Sequence, residues 1–376
     1  MSKQASPSSI RNILIQMVTL VTLILSKMFF WRKKQRIWLI ACGGERWGDN
    51  ADAFWRYMNR EHHEIRTIAI LKNKSVMNPK EKNWIERNKL STYIMIMQAE
   101  VLATTHNLSD IGPESIVFIS KAKKVRLQHG VIAIKRITAD EARSGHYDLI
   151  CASSLREKEV MTEEIGIKPE LIVVTGLARH DLLSKRIKQK LFREGLLYIP
   201  TLRGWSDAEQ RDAYENMLFS WIDLIDKDFA LNIKLWLHPG WSRYGLSEMG
   251  LNYRGIDHYG SKQDPQRLIC ESSLLVTDYS SVFFDAALSG IPTVFYQPDR
   301  LLYFEKNGLF KDFLEQDLLL VIQNQDELLL QITKILTSSD YYEERLDQDQ
   351  KWAYQYVETF DGNSCPRIYQ QIMRIL

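Results

Sequence analysis

The sequence predicts an α/β protein built from two open, mostly parallel β-sheets. Short apolar runs alternate with amphipathic stretches along the chain, which is typical of strand–helix–strand units. The alternation forms two blocks, separated by a basic stretch of helical pattern at 184–193. A chain of 376 residues also predicts two domains more readily than one. We therefore expect an N-terminal segment at 1–36, a first domain at 37–190 and a second at 191–376. The last helices of the second domain should pack back on the first.

The composition is that of a globular protein, with 45% hydrophobic and 26% charged residues. A net charge of +2 argues against a dominant role in binding nucleic acid. The eight histidines show no HxxxH or HExxH spacing, so no metal site is predicted. The cysteines form no CxxC pair and are typical of reduced thiols in a cytoplasmic protein. They are Cys42, Cys151, Cys270 and Cys365.

The N-terminal segment carries an apolar stretch from Ile13 to Trp31, interrupted by Lys27. Its uncharged part, 12–26, is short for a bilayer span, which needs about 20 residues. A basic cluster follows directly: Arg32, Lys33, Lys34 and Arg36. A cleaved signal peptide is not expected, because no small-residue cleavage site is present. A short span, a helix lying in the interface and a helix packed on the protein all remain open. The interfacial helix fits the length and the charges best. We expect attachment to the cytoplasmic face of the membrane.

In the first block, apolar runs predict strands at 37–41, 65–71, 100–104, 125–128, 149–152 and 171–174. Helical patterns follow the first strand and occupy 79–88. A glycine-rich turn, 43–50, joins the first strand to its helix, and ligands bind at such turns in parallel sheets. The turn lacks GxGxxG, so a dinucleotide is not implied. Asp49 and Asn50 either serve the site or only cap the helix.

Two other turns of the first block carry candidate site residues. The strand at 125–128 delivers His129 and Gly130 to its carboxyl end, close to the basic pair Lys135 and Arg136. The strand at 171–174 leads into 175–181, which contains Arg179 and Asp181. Arg179 can bind a phosphate with its planar fork of N–H donors, or it can pair with Asp181.

The second block repeats the alternation. Strands are predicted at 196–199, 233–237, 274–276 and 293–296, and helices at 207–225, 264–271, 282–288, 326–336 and 341–376. The region 303–313 is aromatic and irregular. Arg203 follows the strand at 196–199 closely, and His238 follows the strand at 233–237 directly. Trp352, Tyr354 and Tyr356 are expected to be packing residues.

The most informative turn of the second block is Thr277-Asp278-Tyr279-Ser280-Ser281, which joins a buried strand to the helix at 282–288. Gly290 and Pro292 end that helix. The unpaired N–H groups and partial positive charge of a helix start suit a phosphate. The alternative is that Ser280 or Ser281 merely caps the helix.

This turn, with Asp285, Pro292 and Phe295-Tyr296, resembles the CDP-glycerol glycerophosphotransferases, a family that builds teichoic acids and related polymers. Further stretches match the family in order over roughly 43–299. They are Asp49-Asn50, Gln128-His129-Gly130 for Trp-His-Gly, Gly176 to Asp181 for Gly-x-Pro-Arg-Asn-Asp, Pro200 to Arg203 for Pro-Thr-x-Arg, and His238-Pro239. Three positions depart from the family pattern: Gln128, Ala178 and His180.

The resemblance implies a GT-B-like architecture, with two Rossmann-like domains facing a cleft. It implies transfer of glycerol phosphate or ribitol phosphate from a CDP-activated donor to a hydroxyl of a polymer or lipid-linked acceptor, with release of CMP. No cofactor is implied. A GT-B glycosyltransferase using a nucleotide sugar and a non-catalytic membrane-bound scaffold remain alternatives.

The resemblance also suggests roles for residues. His129 is the candidate base and His238 the group that stabilises or protonates the leaving CMP, although the two assignments can be exchanged. Asp278 and Asp285 would orient other groups of the site. The donor phosphates are assigned to Arg203, Thr277, Asp278, Ser280, Ser281 and Asp285. The acceptor side of the cleft is assigned to Gly44, Asp49, Asn50, Gly130, Arg179 and Asp181.

Overall fold

The structure is a computed structural model. It describes residues 21–22, 35–43, 47–72, 82–137, 147–189, 191–203, 232–237, 257–259 and 264–376. Gly44, His238 and the predicted helix at 207–225 lie outside the described residues. Within the described ranges, no helix has the length and apolar character that crossing a membrane requires.

The first half of the chain forms a sheet of seven parallel strands in the order β3-β2-β1-β4-β5-β6-β7. The strands are β1 (Arg36–Ala41), β2 (Ile65–Leu71), β3 (Trp84–Glu86), β4 (Val101–Thr104), β5 (Lys123–Arg126), β6 (Leu149–Ala152) and β7 (Ile172–Val174). The order changes direction between β1 and β4, which lie side by side. In such sheets this switch point opens a crevice at the carboxyl ends of the strands.

Helices cover both faces of this sheet. They are α1 (Asp49–Glu61), α2 (Leu90–Gln98), α3 (Glu114–Ile119), α4 (Leu155–Glu163) and α5 (Ala178–Lys188). Side chains of β1 alternate between the faces, as the period of a strand requires. Trp38 and Ile40 join the core under α1, whereas Leu39 joins the core under α2 and α3.

The second half forms a sheet of six parallel strands in the order β10-β9-β8-β11-β12-β13. They are β8 (Leu196–Ile199), β9 (Ile233–Trp236), β10 (Asp257–Tyr259), β11 (Leu274–Thr277), β12 (Thr293–Tyr296) and β13 (Val321–Ile322). Its switch point lies between β8 and β11. The helices are α6 (Pro265–Cys270), α7 (Val282–Leu288), α8 (Arg300–Asn307), α9 (Lys311–Glu315), α10 (Gln325–Thr337), α11 (Ser339–Tyr356) and α12 (Ser364–Ile375).

The last helix of the chain packs on the first half. α12 contacts α1 and α5, and its residues Ile368 and Ile372 are buried in the same core as Trp38. Asp181 of α5 accepts hydrogen bonds from the backbone N–H groups of Ser364 and Cys365, both at 2.8 Å. Because the first N–H groups of a helix lack partners within it, this carboxylate holds the start of α12.

Three local expectations are wrong. The stretch 79–88 contains an edge strand rather than a helix, because Trp84–Glu86 pairs with β2. The region 303–313 is largely helical, since α8 and α9 bury Tyr303 and Phe313. The strand expected at 125–128 ends at Arg126, and Gln128 has a positive φ of 63°.

Candidate functional site

His129 and Asp49 form a hydrogen-bonded pair at the carboxyl edge of the first sheet. His129 follows β5 and Asp49 begins α1, and the Nδ1 of His129 lies 2.6 Å from the Oδ2 of Asp49. The His129 side chain is 59% exposed, whereas that of Asp49 is 13% exposed. The imidazole therefore reaches open space with a largely enclosed carboxylate behind it.

The charge on Asp49 determines which nitrogen of His129 carries a proton. Burial alone would raise the pKa of Asp49, but His129 and Arg179 outweigh it and hold this pKa well below its usual value. An ionised carboxylate only accepts hydrogen bonds, so His129 must carry a proton on Nδ1. When the ring is neutral, its Nε2 is then the atom that can accept a proton.

Arg179 connects this pair to the second half of the molecule. Its Nη1 donates to Asp49 at 2.8 Å and to the backbone carbonyl of His129. Its Nη2 lies 3.0 Å from Asp285 of α7, and its Nε donates to the same carboxylate at 3.2 Å. Gln266 also donates to Asp285, at 3.3 Å. The guanidinium is buried and its donors point at protein acceptors, so in this structure Arg179 serves ion pairs within the protein. Arg179 pairs with Asp49 and Asp285, and not with Asp181.

Asn50 is fully buried and connects the loop after β5 to the first turn of α5. Its side-chain N–H donates to the carbonyl of Gln128 at 2.7 Å, and its Oδ1 accepts from the backbone N–H of Arg179 at 2.9 Å. Neither Asp49 nor Asn50 caps α1, because Gly48 occupies the N-cap position without a side-chain cap bond. The alternative that these residues only cap the helix is therefore wrong.

Asp49 and Gln128 adopt positive φ angles of 59° and 63°. For residues with a side chain this conformation costs of order 1 kcal/mol or more, and it persists only when surrounding contacts enforce it. Here Asn50 holds the carbonyl of Gln128, and Arg179 holds the carboxylate of Asp49. The strain therefore lies at Asp49 itself and at Gln128, the residue before His129, as in sites that are preorganised for chemistry.

Gly130 and Ser281 bring the two halves together beside His129. A Cβ atom on Gly130 would lie 2.3 Å from the Oγ of Ser281, so only glycine permits this approach. Ser281 occupies the N-cap position of α7, but its side chain makes no capping hydrogen bond. Ser280 accepts from the N–H of Val282 at 3.3 Å. Both serines are half-buried.

Arg203, which is expected at the donor phosphates, is enclosed by protein contacts in this structure. Its side chain is 0% exposed and lies 2.9 Å from Asp278 and 2.9 Å from Asp299. Its guanidinium also packs over the stacked rings of Tyr279 and Tyr303, 4.9 and 4.6 Å from their centroids. These contacts make Arg203 the centre of a buried cluster that joins the loop after β8 to the turn after β11.

Three other residues expected at the site are engaged in the fold. Thr277 is buried and donates to the carbonyl of Ile199 at 2.7 Å. Asp278 accepts from the N–H of Thr201 at 2.9 Å and pairs with Arg203, which orients the loop after β8. Asp181 holds the start of α12. In this structure these side chains serve contacts within the protein.

His106 lies beside His129, a position that no motif in the sequence indicates. It follows β4, and its ring centroid is 4.1 Å from that of His129, with the planes inclined by 35°. The signal available in the sequence was its position at the end of a strand beside the switch point.

Within the part of the chain that the structure describes, no three His, Cys, Asp or Glu side chains are arranged to hold a metal ion.

Comparison with known proteins identifies the family of this chain. The profile of the family described as CDP-Glycerol:Poly(glycerophosphate) glycerophosphotransferase matches residues 21–374. The chain is 23% identical over 289 residues to the teichoic acid poly(ribitol-phosphate) polymerase of Bacillus spizizenii, covering 69% of this chain and 45% of that protein. It is 20% identical over 380 residues to the teichoic acid glycerol-phosphate transferase of Staphylococcus aureus, covering 91% and 93%. The chain thus spans less than half the length of the first of these relatives.

The fold comparison extends over nearly the whole chain. A structure of the wall teichoic acid polymerase TagF, determined from a histidine variant soaked with CDPG, has a TM-score of 0.72 at 18% identity. The match covers 97% of this chain and 95% of that one. The fold is therefore α/β with parallel sheets and is GT-B-like. By the extent of the profile match, the chain belongs to the CDP-glycerol glycerophosphotransferase family.

Proposed function

We propose that this protein transfers a phosphopolyol, glycerol phosphate or ribitol phosphate, from a CDP-activated donor to a hydroxyl of a polymer or lipid-linked acceptor. The observation that carries the proposal is the His129–Asp49 pair, in which an exposed imidazole is backed by an ionised carboxylate. Attack of a neutral hydroxyl on phosphorus needs a base positioned in this way. Membership of the family supplies the class of donor.

In the proposed reaction the acceptor oxygen forms a bond to the phosphorus that carries the polyol. The bond from that phosphorus to the bridging oxygen of the diphosphate breaks, and CMP leaves with the electron pair. The acceptor hydroxyl gives its proton to Nε2 of His129. Asp49 stabilises the resulting imidazolium through the Nδ1 hydrogen bond, and Arg179 keeps Asp49 in place.

The donor side of the cleft belongs to the second half of the chain in this proposal. Because Arg203 and Arg179 are committed to carboxylates, we assign the donor phosphates to Ser280 and Ser281, whose turn meets Gly130 beside His129. His238 remains the candidate for stabilising the leaving CMP. The acceptor then approaches from the side of the first domain. We keep 37–190 and 191–376 as the proposed domain boundaries.

The first experiment is a donor screen with the purified protein. CDP-glycerol, CDP-ribitol and common UDP-sugars are offered with an acceptor, and released CMP or UDP is measured. Release of CMP from a CDP-polyol, without release of UDP from any nucleotide sugar, supports the proposal and identifies the polyol. UDP release from a nucleotide sugar would favour the glycosyltransferase alternative, and no release from any donor would favour the scaffold.

A histidine substitution then connects the activity to the site. His129→Ala should lower turnover at least roughly a hundredfold, the usual scale for a general base. His63→Ala, an exposed histidine in the turn after α1, is the matched control and should retain turnover. Full activity in His129→Ala would contradict the assignment of the base.

The N-terminal segment suggests a place of action. We propose that 1–36 attaches the protein to the cytoplasmic face of the membrane as an interfacial helix or a short span. The apolar stretch Ile13 to Trp31 and the basic residues Arg32, Lys33 and Lys34 after it support this. Arg36 begins β1 and pairs with Glu100 instead. Each basic residue near an anionic leaflet contributes about 1 kcal/mol. The protein should sediment with membranes, and deletion of residues 1–31 should weaken that attachment. Recovery of the intact protein wholly in the soluble fraction at low salt would contradict the proposal.

A further inference from the structure

The imidazole of His106 packs against that of His129. The Asp49 hydrogen bond restrains His129 through a single atom, Nδ1. The ring turns about its Cβ–Cγ bond, and this one side-chain hydrogen bond opposes that rotation, while the 59% exposure of His129 leaves room for the ring to swing away from Asp49. The imidazole of His106 packs against the ring, with centroids 4.1 Å apart and the planes inclined by 35°. A neighbour at this distance also opposes that rotation.

His106 is itself held from several sides. Its Nδ1 lies 2.9 Å from the Oγ1 of Thr105, and its backbone carbonyl accepts from the hydroxyl of Tyr147 at 3.1 Å. Gly43, at the end of β1, lies against the ring. A Cβ atom on Gly43 would lie 2.4 Å from Nδ1 and 2.5 Å from Cγ of His106. The ring therefore fits between the loop after β1 and His129 only because residue 43 is glycine.

We propose that His106 is a positioning residue for the proposed base, fixing the ring plane of His129 by packing against it while Asp49 fixes its tautomer. The inference rests on the proposed role of His129. It assigns His106 no contact with the reacting atoms. What it requires of His106 is a flat ring at this place, and not an imidazole nitrogen directed at the substrate.

The variants follow from that requirement. His106→Ala should lower kcat about tenfold, the scale expected for a loosened catalytic group, with the KM for the donor nearly unchanged. His106→Phe keeps a flat ring and should recover kcat to within about threefold of the wild type. Gly43→Ala leaves both histidines in the chain but pushes the ring of His106 away, so it should lower kcat as His106→Ala does. His62→Ala is the matched control, because His62 stacks on Tyr369 away from this site.

A second readout does not depend on turnover. Imidazole ¹H–¹⁵N correlation spectra report the tautomer and exchange behaviour of His129. The wild type and His106→Phe should show a single, slowly exchanging Nδ1–H form. His106→Ala should show averaging between forms or rapid exchange of that proton. If His129→Ala proves fully active, the proposed base is wrong, yet this spectrum still decides whether His106 fixes the ring.

Three results would overturn the inference. The first is a wild-type kcat and an unchanged His129 spectrum in His106→Ala. The second is a Phe variant no better than the Ala variant, which would show that a nitrogen of His106 is needed. The third is a raised KM with unchanged kcat, which would place His106 in substrate binding. Should His106→Ala fail to fold, Gly43→Ala takes its place in the comparison with the wild type and with His106→Phe. The same three results then decide.

Discussion

Replacing Asp49 by asparagine tests how the site activates its base. The variant keeps the size of the side chain but leaves one acceptor oxygen for two donors, the Nδ1 of His129 and the Nη1 of Arg179. The amide nitrogen must then face one of these donors. Because Arg179 is permanently charged and buried, we expect it to retain the oxygen. His129 then meets an N–H group, which favours a proton on Nε2 and removes the base.

The size of this effect can be bounded. In Ser-His-Asp triads the change from carboxylate to amide lowers kcat about 10⁴-fold. His129 is more than half exposed here, so water can replace part of the lost hydrogen bond. We therefore expect a loss of about 10²- to 10³-fold in kcat, which corresponds to about 2.7–4 kcal/mol.

The assay is CMP release at saturating donor, with donor affinity measured separately by calorimetry. The donor Kd should stay near the wild-type value, since Asp49 contacts His129 and Arg179 in the structure. Adding Asp49→Asn to His129→Ala should cost little further activity, because both changes disable the same unit. A kcat within about threefold of the wild type in the single variant, or fully additive losses in the double variant, would refute this reasoning.

Three further outcomes concern stability and are measured by urea unfolding. Arg179→Ala should cost about 3–5 kcal/mol, because it leaves two enclosed carboxylates without their cation; Arg156→Ala, whose side chain is 44% exposed, should cost at most about 1 kcal/mol. Arg203→Ala should cost about as much as Arg179→Ala, because Asp278 and Asp299 would stay buried without the Arg203 cation. Burial raises the pKa of Asp349 to about 7 although Arg345 opposes it. Between about pH 4 and 7 the folded state therefore keeps a proton that the unfolded state has released. The free energy of unfolding of the wild type should fall by of order 1–4 kcal/mol as the pH rises across that window. Asp349→Asn should lack this fall, and a fall of equal size in the variant would contradict the assignment.

Elements with strong local patterns could be predicted from the sequence. The expected helix at 282–288 coincides with α7, because an apolar helical period lies between a hydroxyl-rich turn and Gly290. The segment 84–86 is a strand where the sequence predicts a helix, because a short apolar run does not distinguish the two. Its pairing with β2 on the edge of the sheet decides the outcome.

The candidate site was only partly predictable for a related reason. Asp49 and His129 each follow a strand of one parallel sheet, so the sequence could place both at the same edge. Their pairing across 80 residues depends on the tertiary structure. Arg203 illustrates the same limit, since an arginine after a strand can serve a phosphate or an internal ion pair. Only the positions of Asp278 and Asp299 show that it is buried here.

The most direct test of the proposed function is the stoichiometry of transfer. Purified protein is incubated with its CDP-polyol donor and a hydroxyl acceptor, and ³¹P NMR follows donor, CMP and new phosphodiester together. We predict one phosphodiester for each CMP released, with both signals at least roughly a hundredfold slower to appear in His129→Ala. Release of CMP without a phosphodiester, or equal rates in the wild type and His129→Ala, would contradict polyol-phosphate transfer with His129 as the base.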